Sequence, residues 1–294
     1  MKSNSNTQAY IKLHFIIFIW GFTAVLGALI SLKAIPLVWY RIGLSLPFLL
    51  VFILYKKQNL RISKKSLFNY ALGGLIIALH WVAFFKAIKI ANVSVALVTM
   101  STGAFFTSLI EPFFFRRKIL VLEVFFGLLI IVGLYMIFRV ENVNFYGVLW
   151  ALLASFLSAV FSVMNGLFIK RKTGAELSFY QLSFGFLAIT IYLFFNGDLT
   201  IEFFQLDSVD WGYLLLLSSI CTAYAFAASI DVMKYLSPYT VMLSINLEPV
   251  YGILLALLIF GEKELMSPYF YMGVFLILGI VIINGILKTK KKRL

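Results

Sequence analysis

The sequence predicts an all-α polytopic membrane protein, with ten transmembrane helices arranged as two inverted repeats of five. Three observations carry this. Ten stretches of about twenty apolar residues fill the 294-residue chain, and that length lets a helix cross roughly 30 Å of hydrocarbon. Hydrophobic residues make up 62% of the chain and charged residues only 13%, far from the composition of soluble domains. The basic residues gather in alternate connections, as the positive-inside rule requires.

The helices are placed at 11–31, 35–55, 66–87, 92–114, 119–138, 146–169, 177–196, 210–233, 238–260 and 268–287. The first carries Trp20, Thr23 and Gly27; with no strongly basic leader and nine more spans behind it, it reads as retained rather than as a cleaved signal peptide. The second holds Arg41 and Pro47, the third His80-Trp81 on a face shared with Gly73, Ala83 and Ala87. The fourth has Ser94, Thr99, Ser101, Thr102, Thr107 and Ser108, too many small polar groups for a lipid-facing helix, so it belongs inside the bundle. The fifth, sixth and seventh are mainly apolar, and the eighth repeats the small-polar logic with Ser218, Ser219, Thr222, Tyr224 and Ser229. The ninth carries Thr240, Ser244, Glu248 and Tyr251 at helical spacing, and the tenth has Gly273 and Gly279. No segment alternates in polarity as a membrane β-barrel strand would. Cys221 is the single cysteine, which excludes an internal disulfide.

The net charge of +13 would suggest nucleic acid in a soluble protein; here it sets orientation, and no nucleic-acid partner is expected. If the N-terminus is cytoplasmic, 19 of the 25 Lys and Arg lie on that side. They include Lys56, Lys57, Arg61, Lys64 and Lys65, the Arg116-Arg117-Lys118 run, Lys170-Arg171-Lys172 and the basic C-terminal tail. Only Lys33, Lys86, Lys89, Arg139 and Lys263 fall outside, and Arg41 lies within a helix. The longest external loop, with Asp198, Glu202, Asp207 and Asp210, has no base. Both termini are therefore expected in the cytoplasm.

Sliding 94–134 onto 240–280 at an offset of 146 superposes Ser94 on Thr240, Val95 on Val241, Gly127 on Gly273 and Gly133 on Gly279. A weaker match near offset 140 brings Tyr40-Arg41 onto Tyr180-Gln181. The units are placed at 1–140 and 141–294. Five helices per unit is an odd number, which forces the second unit to enter the membrane the other way up and puts a site at the midplane between them.

The chain resembles the drug/metabolite transporter superfamily, and within it the EamA-like transporters. The resemblance rests on Glu248-Pro249, on Glu262 thirteen residues after the proline in Phe260-Gly261-Glu262, and on Gly273 and Gly279. Trp20-Gly21 and Tyr40-Arg41 with Pro47 also look like the family. At offset 146 the first half departs from the pattern, with Thr102-Gly103 where the second has Glu248-Pro249 and Arg116 where it has Glu262. What the resemblance implies is a ten-helix carrier moving small metabolites, amino acids or drug-like molecules across a bacterial inner membrane, often outward.

Ionisable groups at depth in hydrocarbon are functional candidates. Glu248 follows Pro238 by ten residues, which places it about 15 Å in, near the centre of the layer. With Thr240, Ser244 and Tyr251 it forms a face suited to a ligand or a proton; the competing reading is a cap on the turn broken by Pro249. His80 can hold or relay a proton and Trp81 offers a face to an aromatic or cationic ligand, unless the histidine merely bonds a neighbouring carbonyl. Arg41, about 8 Å inside the outer boundary, binds a substrate carboxylate or, preferably, snorkels outward or braces helix ends. Thr102, Tyr224 and Trp20 complete the expected lining. Glu111, beside Arg116, Arg117 and Lys118, reads as a structural or gating residue.

No metalloprotease, nucleophile-elbow or phosphate-loop motif and no Cys/His cluster is present, so neither catalysis, metal nor cofactor is expected. The expected function is a secondary transporter of small metabolites, exporting amino acids or amphipathic drug-like solutes by alternating access around a central cavity. A flippase for lipids or lipid-linked precursors is the alternative. Its partners are a small-molecule substrate, the lipid bilayer and protons as candidate coupling ions; the sequence leaves the oligomeric state open, a monomer being plausible.

Overall fold

Each long apolar run folds as a helix because, in hydrocarbon, a helix satisfies its backbone groups internally. The computed structural model describes residues 2–140, 143–170 and 172–291. Among the described residues there is no strand. The elements are α1 (Lys2–Leu29), α2 (Ala34–Tyr55), α3 (Lys64–Ile90), α4 (Val93–Met100), α5 (Gly103–Phe115), α6 (Val121–Val140), α7 (Phe145–Phe168), α8 (Gly174–Phe195), α9 (Ser208–Ser218), α10 (Ala225–Val232), α11 (Pro238–Ile245), α12 (Glu248–Phe260) and α13 (Pro268–Lys291). Among the described residues eight spans are long and apolar enough to cross a membrane, with α4–α5, α9–α10 and α11–α12 each acting as one; the apolar parts described for α6 and α13 are shorter. Together they make the ten passes expected. Arg171, Lys292 and Arg293, counted above for orientation, lie outside the described residues.

The two halves exchange roles in the packing. α2 lies on α8 and α6 on α13, each a pair of equivalent helices. The contact of α1 with α12 is matched by α7 with α4 and α5, that of α3 with α7 by α10 with α1, and that of α3 with α8 by α9 with α2.

Three passes expected as continuous helices are interrupted. In the fourth, Ser101 and Thr102 bond to the carbonyls of Val98 and Thr99, three residues back; in the ninth, Asn246 and Leu247 do the same to Leu243 and Ser244. Pro249, at the start of α12, has no N–H to continue the ladder. In the fourth pass the hydroxyls of Thr99 and Thr102 bond carbonyls of their own turn instead, which competes with regular helix. The breaks fix the repeat register at 145: Met100 and Ile245 end the first segments, and Gly103 and Glu248 begin the second ones. Gly103, rather than Thr102, therefore stands opposite Glu248. In the eighth pass Ser219–Tyr224 form a π turn between α9 and α10.

The fourth and ninth passes are each capped by a carboxylate from the other half. Glu264, after α12, accepts from the N–H of Val93 (3.0 Å) and of Ser94 (3.1 Å) and from the Ser94 hydroxyl (2.9 Å). At the opposite end, Glu111 accepts from the N–H of Tyr239 at 2.6 Å while holding Arg117 at 3.2 Å. Ser94 and Tyr239 are themselves 145 apart, so the caps are reciprocal. A buried carboxylate on helix N–H groups is a charge-assisted bond favoured by the helix dipole, stabilising by about 0.3–2 kcal/mol.

α3 and α8 approach at Gly74 and Gly185, where a Cβ on Gly74 would lie 2.1 Å from the Gln181 carbonyl oxygen. Gly74→Val must force the helices apart, and overpacking of this kind costs about 1–3 kcal/mol. It should lower the melting temperature and folded yield of the purified protein, whereas Gly212→Ala, with nothing within 4 Å, should match wild type. An unchanged melting temperature in Gly74→Val would show the two helices to be loosely held.

Candidate functional site

A central cavity of about 70 Å³ opens where the interrupted passes meet α1, α2, α3 and α7. Five of the eight residues expected from the sequence converge on it: Trp20, Arg41, His80, Trp81 and Glu248. Its walls are largely aromatic, with Phe84, Phe161 and Phe226 joining the two tryptophans.

Arg41 neither snorkels to the surface nor pairs with a carboxylate. It is 2% exposed. Its Nε donates to the Thr222 hydroxyl at 2.7 Å, its guanidinium carbon lies 4.0 Å over the Trp81 ring, and its Nη1 has no partner. Thr222 is presented by the π turn, and the Cys221 carbonyl of the same turn accepts from Trp20 Nε1 at 3.2 Å. The π turn thus aligns two residues of the cavity, as such bulges often do at functional sites.

Glu248 reaches the same cavity from the first turn of α12. A helix N-terminus favours its negative charge. The break before it turns α12 so that Glu248 faces inward while Tyr251 packs edge-on against Phe18, ring centres 5.4 Å apart. Arg41 and Glu248 do not form an ion pair; the pairs among the described residues are Arg117 with Glu111 and Glu123, Lys172 with Glu176, and Lys234 with Asp231. An acidic and a basic side chain therefore face one cavity without pairing with each other.

His80 donates from Nδ1 to the Ala154 carbonyl at 2.7 Å and packs against Phe84 and Phe161, which leaves Nε2 as the acceptor in the neutral ring. The bond fixes the ring at the cavity wall.

Three expected residues are elsewhere. The π turn rotates Tyr224 to the outside, where it is 47% exposed and meets Phe15. The Thr102 hydroxyl is taken up by the Thr99 carbonyl and Ser155 Oγ, both at 2.8 Å. Ser244 donates to the Thr240 carbonyl at 3.0 Å, behind the lining.

Sequence reading missed the polar row on α7: Ser158, Ser162 and Asn165 line the cavity. Gln181 Nε2 donates to Asn165 Oδ1 at 2.7 Å, leaving Gln181 Oε1, Asn165 Nδ2 and Ser162 Oγ buried without partners. Their spacing of three and four on one helix face was a legible signal. Exchanging O and N in both amides still leaves one donor and one acceptor free, so the row can serve water or a polar solute.

Comparison with known proteins agrees with this architecture. The model of the EamA-like transporter family matches residues 8–139 and again 145–285. The uncharacterized transporter YxxF of Bacillus subtilis (strain 168) is 23% identical over 265 residues, covering 87% of this chain and 83% of that protein. An uncharacterized transporter of Archaeoglobus fulgidus is 22% identical over 295 residues, covering 99% of each. A solved crystal structure superposes with a TM-score of 0.71 over 98% of both chains at 16% identity, a likeness of fold alone. Because one family model accounts for nearly the whole chain in two successive copies, the chain belongs to the EamA-like transporter family.

Proposed function

We propose that this membrane transporter is a secondary carrier that exports small amphipathic zwitterions, amino acids foremost, across a bacterial inner membrane with both termini in the cytoplasm. The observation that carries the reading is the unspent charge pair. Arg41 with its free Nη1 suits a carboxylate, and Glu248 suits an ammonium group. Between them the aromatic walls suit an apolar side chain. Burying opposite charges apart is costly unless a ligand bridges them, which favours a dipolar solute over a neutral one. Residues 1–140 and 141–294 act as the two repeats.

Alternating access fits the reciprocal caps: opening one face breaks the Glu111 bond to Tyr239, and opening the other breaks the Glu264 bonds to Val93 and Ser94. Glu248 is the residue through which protons would couple. A lipid flippase would present its charged residues toward the bilayer, whereas Arg41 is enclosed; this favours a solute carrier, working as a monomer.

The test is counterflow in proteoliposomes loaded with an aromatic or branched amino acid. The zwitterion should compete strongly, its amide and its decarboxylated amine weakly. Equal competition by all three would remove the carboxylate-and-ammonium reading.

A further inference from the structure

On the outside of the bundle, away from the cavity, a groove of about 230 Å³ runs between α1, α2 and the eighth pass. Alanines 223, 227 and 228 form its floor, and Phe48, Phe52 and Tyr224 stand along it as exposed rings. Small residues below and large rings beside make a slot for a single apolar chain. Tyr224 and Ala223 belong to the same π turn whose Thr222 holds Arg41 on the inner side.

The groove continues, through Lys12, Phe52 and Asp231, into a second hollow of about 380 Å³ that also takes in Lys56 and Lys234. Asp231 is already occupied: it binds Lys234 at 2.8 Å and accepts from the Gly174 N–H at 2.9 Å. Lys12 and Lys56 have no ion-pair partner among the described residues. All three lysines lie at one end of the bundle. Lys12 stands in the second turn of the span beginning at Asn6, Lys56 follows the span ending at Tyr55, and Lys234 follows the span ending at Val232. In a bilayer spanned by these helices, their ends would lie at the level of the lipid phosphates and the apolar groove would descend from there into hydrocarbon.

We propose that this surface is a binding site for an anionic phospholipid, its phosphate held between Lys12 and Lys56 and one acyl chain laid over the alanine floor between Phe52 and Tyr224. The basic mouth supplies selectivity for anionic headgroups, since each lysine at this depth attracts negative lipid. The apolar slot supplies the retention that a free phosphate would lack.

Native mass spectrometry of the full-length protein tests this, with phosphatidylglycerol and phosphatidylcholine of identical chains. Phosphatidylglycerol should bind in one saturable step with roughly tenfold or greater preference. Lys12→Gln with Lys56→Gln should bring it down to the phosphatidylcholine level without changing the melting temperature. Ala223→Phe should weaken both lipids by filling the slot, and a nitroxide at Tyr224→Cys should sense a spin-labelled lipid only with the slot open. Equal binding of the two lipids, a preference that survives the double lysine substitution, or displacement of phosphatidylglycerol by millimolar inorganic phosphate would overturn the assignment.

Discussion

Arg41→Met is expected to cut zwitterion transport by roughly 10- to 100-fold, the equivalent of one lost charge-assisted contact, while leaving transport of the decarboxylated amine near wild type. Glu248→Gln should show the converse: loss for the zwitterion and the amine, and little change for the deaminated acid. The asymmetry follows from the geometry. Each charge faces the cavity from a different half of the chain, and each is unpaired by the other. Arg41→Lys should recover little, because an ammonium cannot both reach Thr222 and lie flat over Trp81 as the guanidinium does at 4.0 Å. Initial rates in proteoliposomes at matched protein content and melting temperature measure the effect. Wild-type rates for all three solutes in both variants, or the same loss for every solute, would sink the assignment of these two residues to opposite ends of the substrate.

The helix count and the charged residues at depth were legible because each has a strong one-dimensional signature: an apolar run of spanning length, or an ionisable group inside one. Arg41, His80 and Glu248 were found that way, with Trp81 and Trp20 beside them as aromatic lining, although Arg41 was expected to snorkel or brace. Its burial depends on Thr222, a partner 181 residues away, and no local pattern reports a pairing of that separation. Tyr224, Thr102 and Ser244 failed for a different reason. Ser244 was placed by helical spacing and Thr102 and Tyr224 by the small-polar content of their helices, and all three lie in or near a π turn or a tight break that shifts the phase. The α7 row of Ser158, Ser162 and Asn165 needed only the spacing rule, but serines in an apolar helix carry no charge to draw attention.

Glu111→Gln and Glu264→Gln should shift the protein in opposite directions between its two open states. Glu111 gives one oxygen to the Tyr239 N–H and the other to Arg117, so the amide loses the ion pair and turns a donor toward a donor. Glu264 uses both oxygens on Val93 and Ser94, and the amide can serve only one of them. Each substitution weakens the cap at one end of the paired fourth and ninth passes and leaves the other intact. A loss of about 1–2 kcal/mol corresponds to a population shift of roughly fivefold to thirtyfold. The reporter is Ser158→Cys, lining the middle of the cavity, in a Cys221→Ala background labelled by membrane-impermeant thiol reagents from either side. Glu111→Gln should speed labelling from the side bearing the α2–α3 connection and slow it from the other, and Glu264→Gln should do the reverse. Faster labelling from the same side in both variants would mean that the caps hold the helices together without gating the cavity.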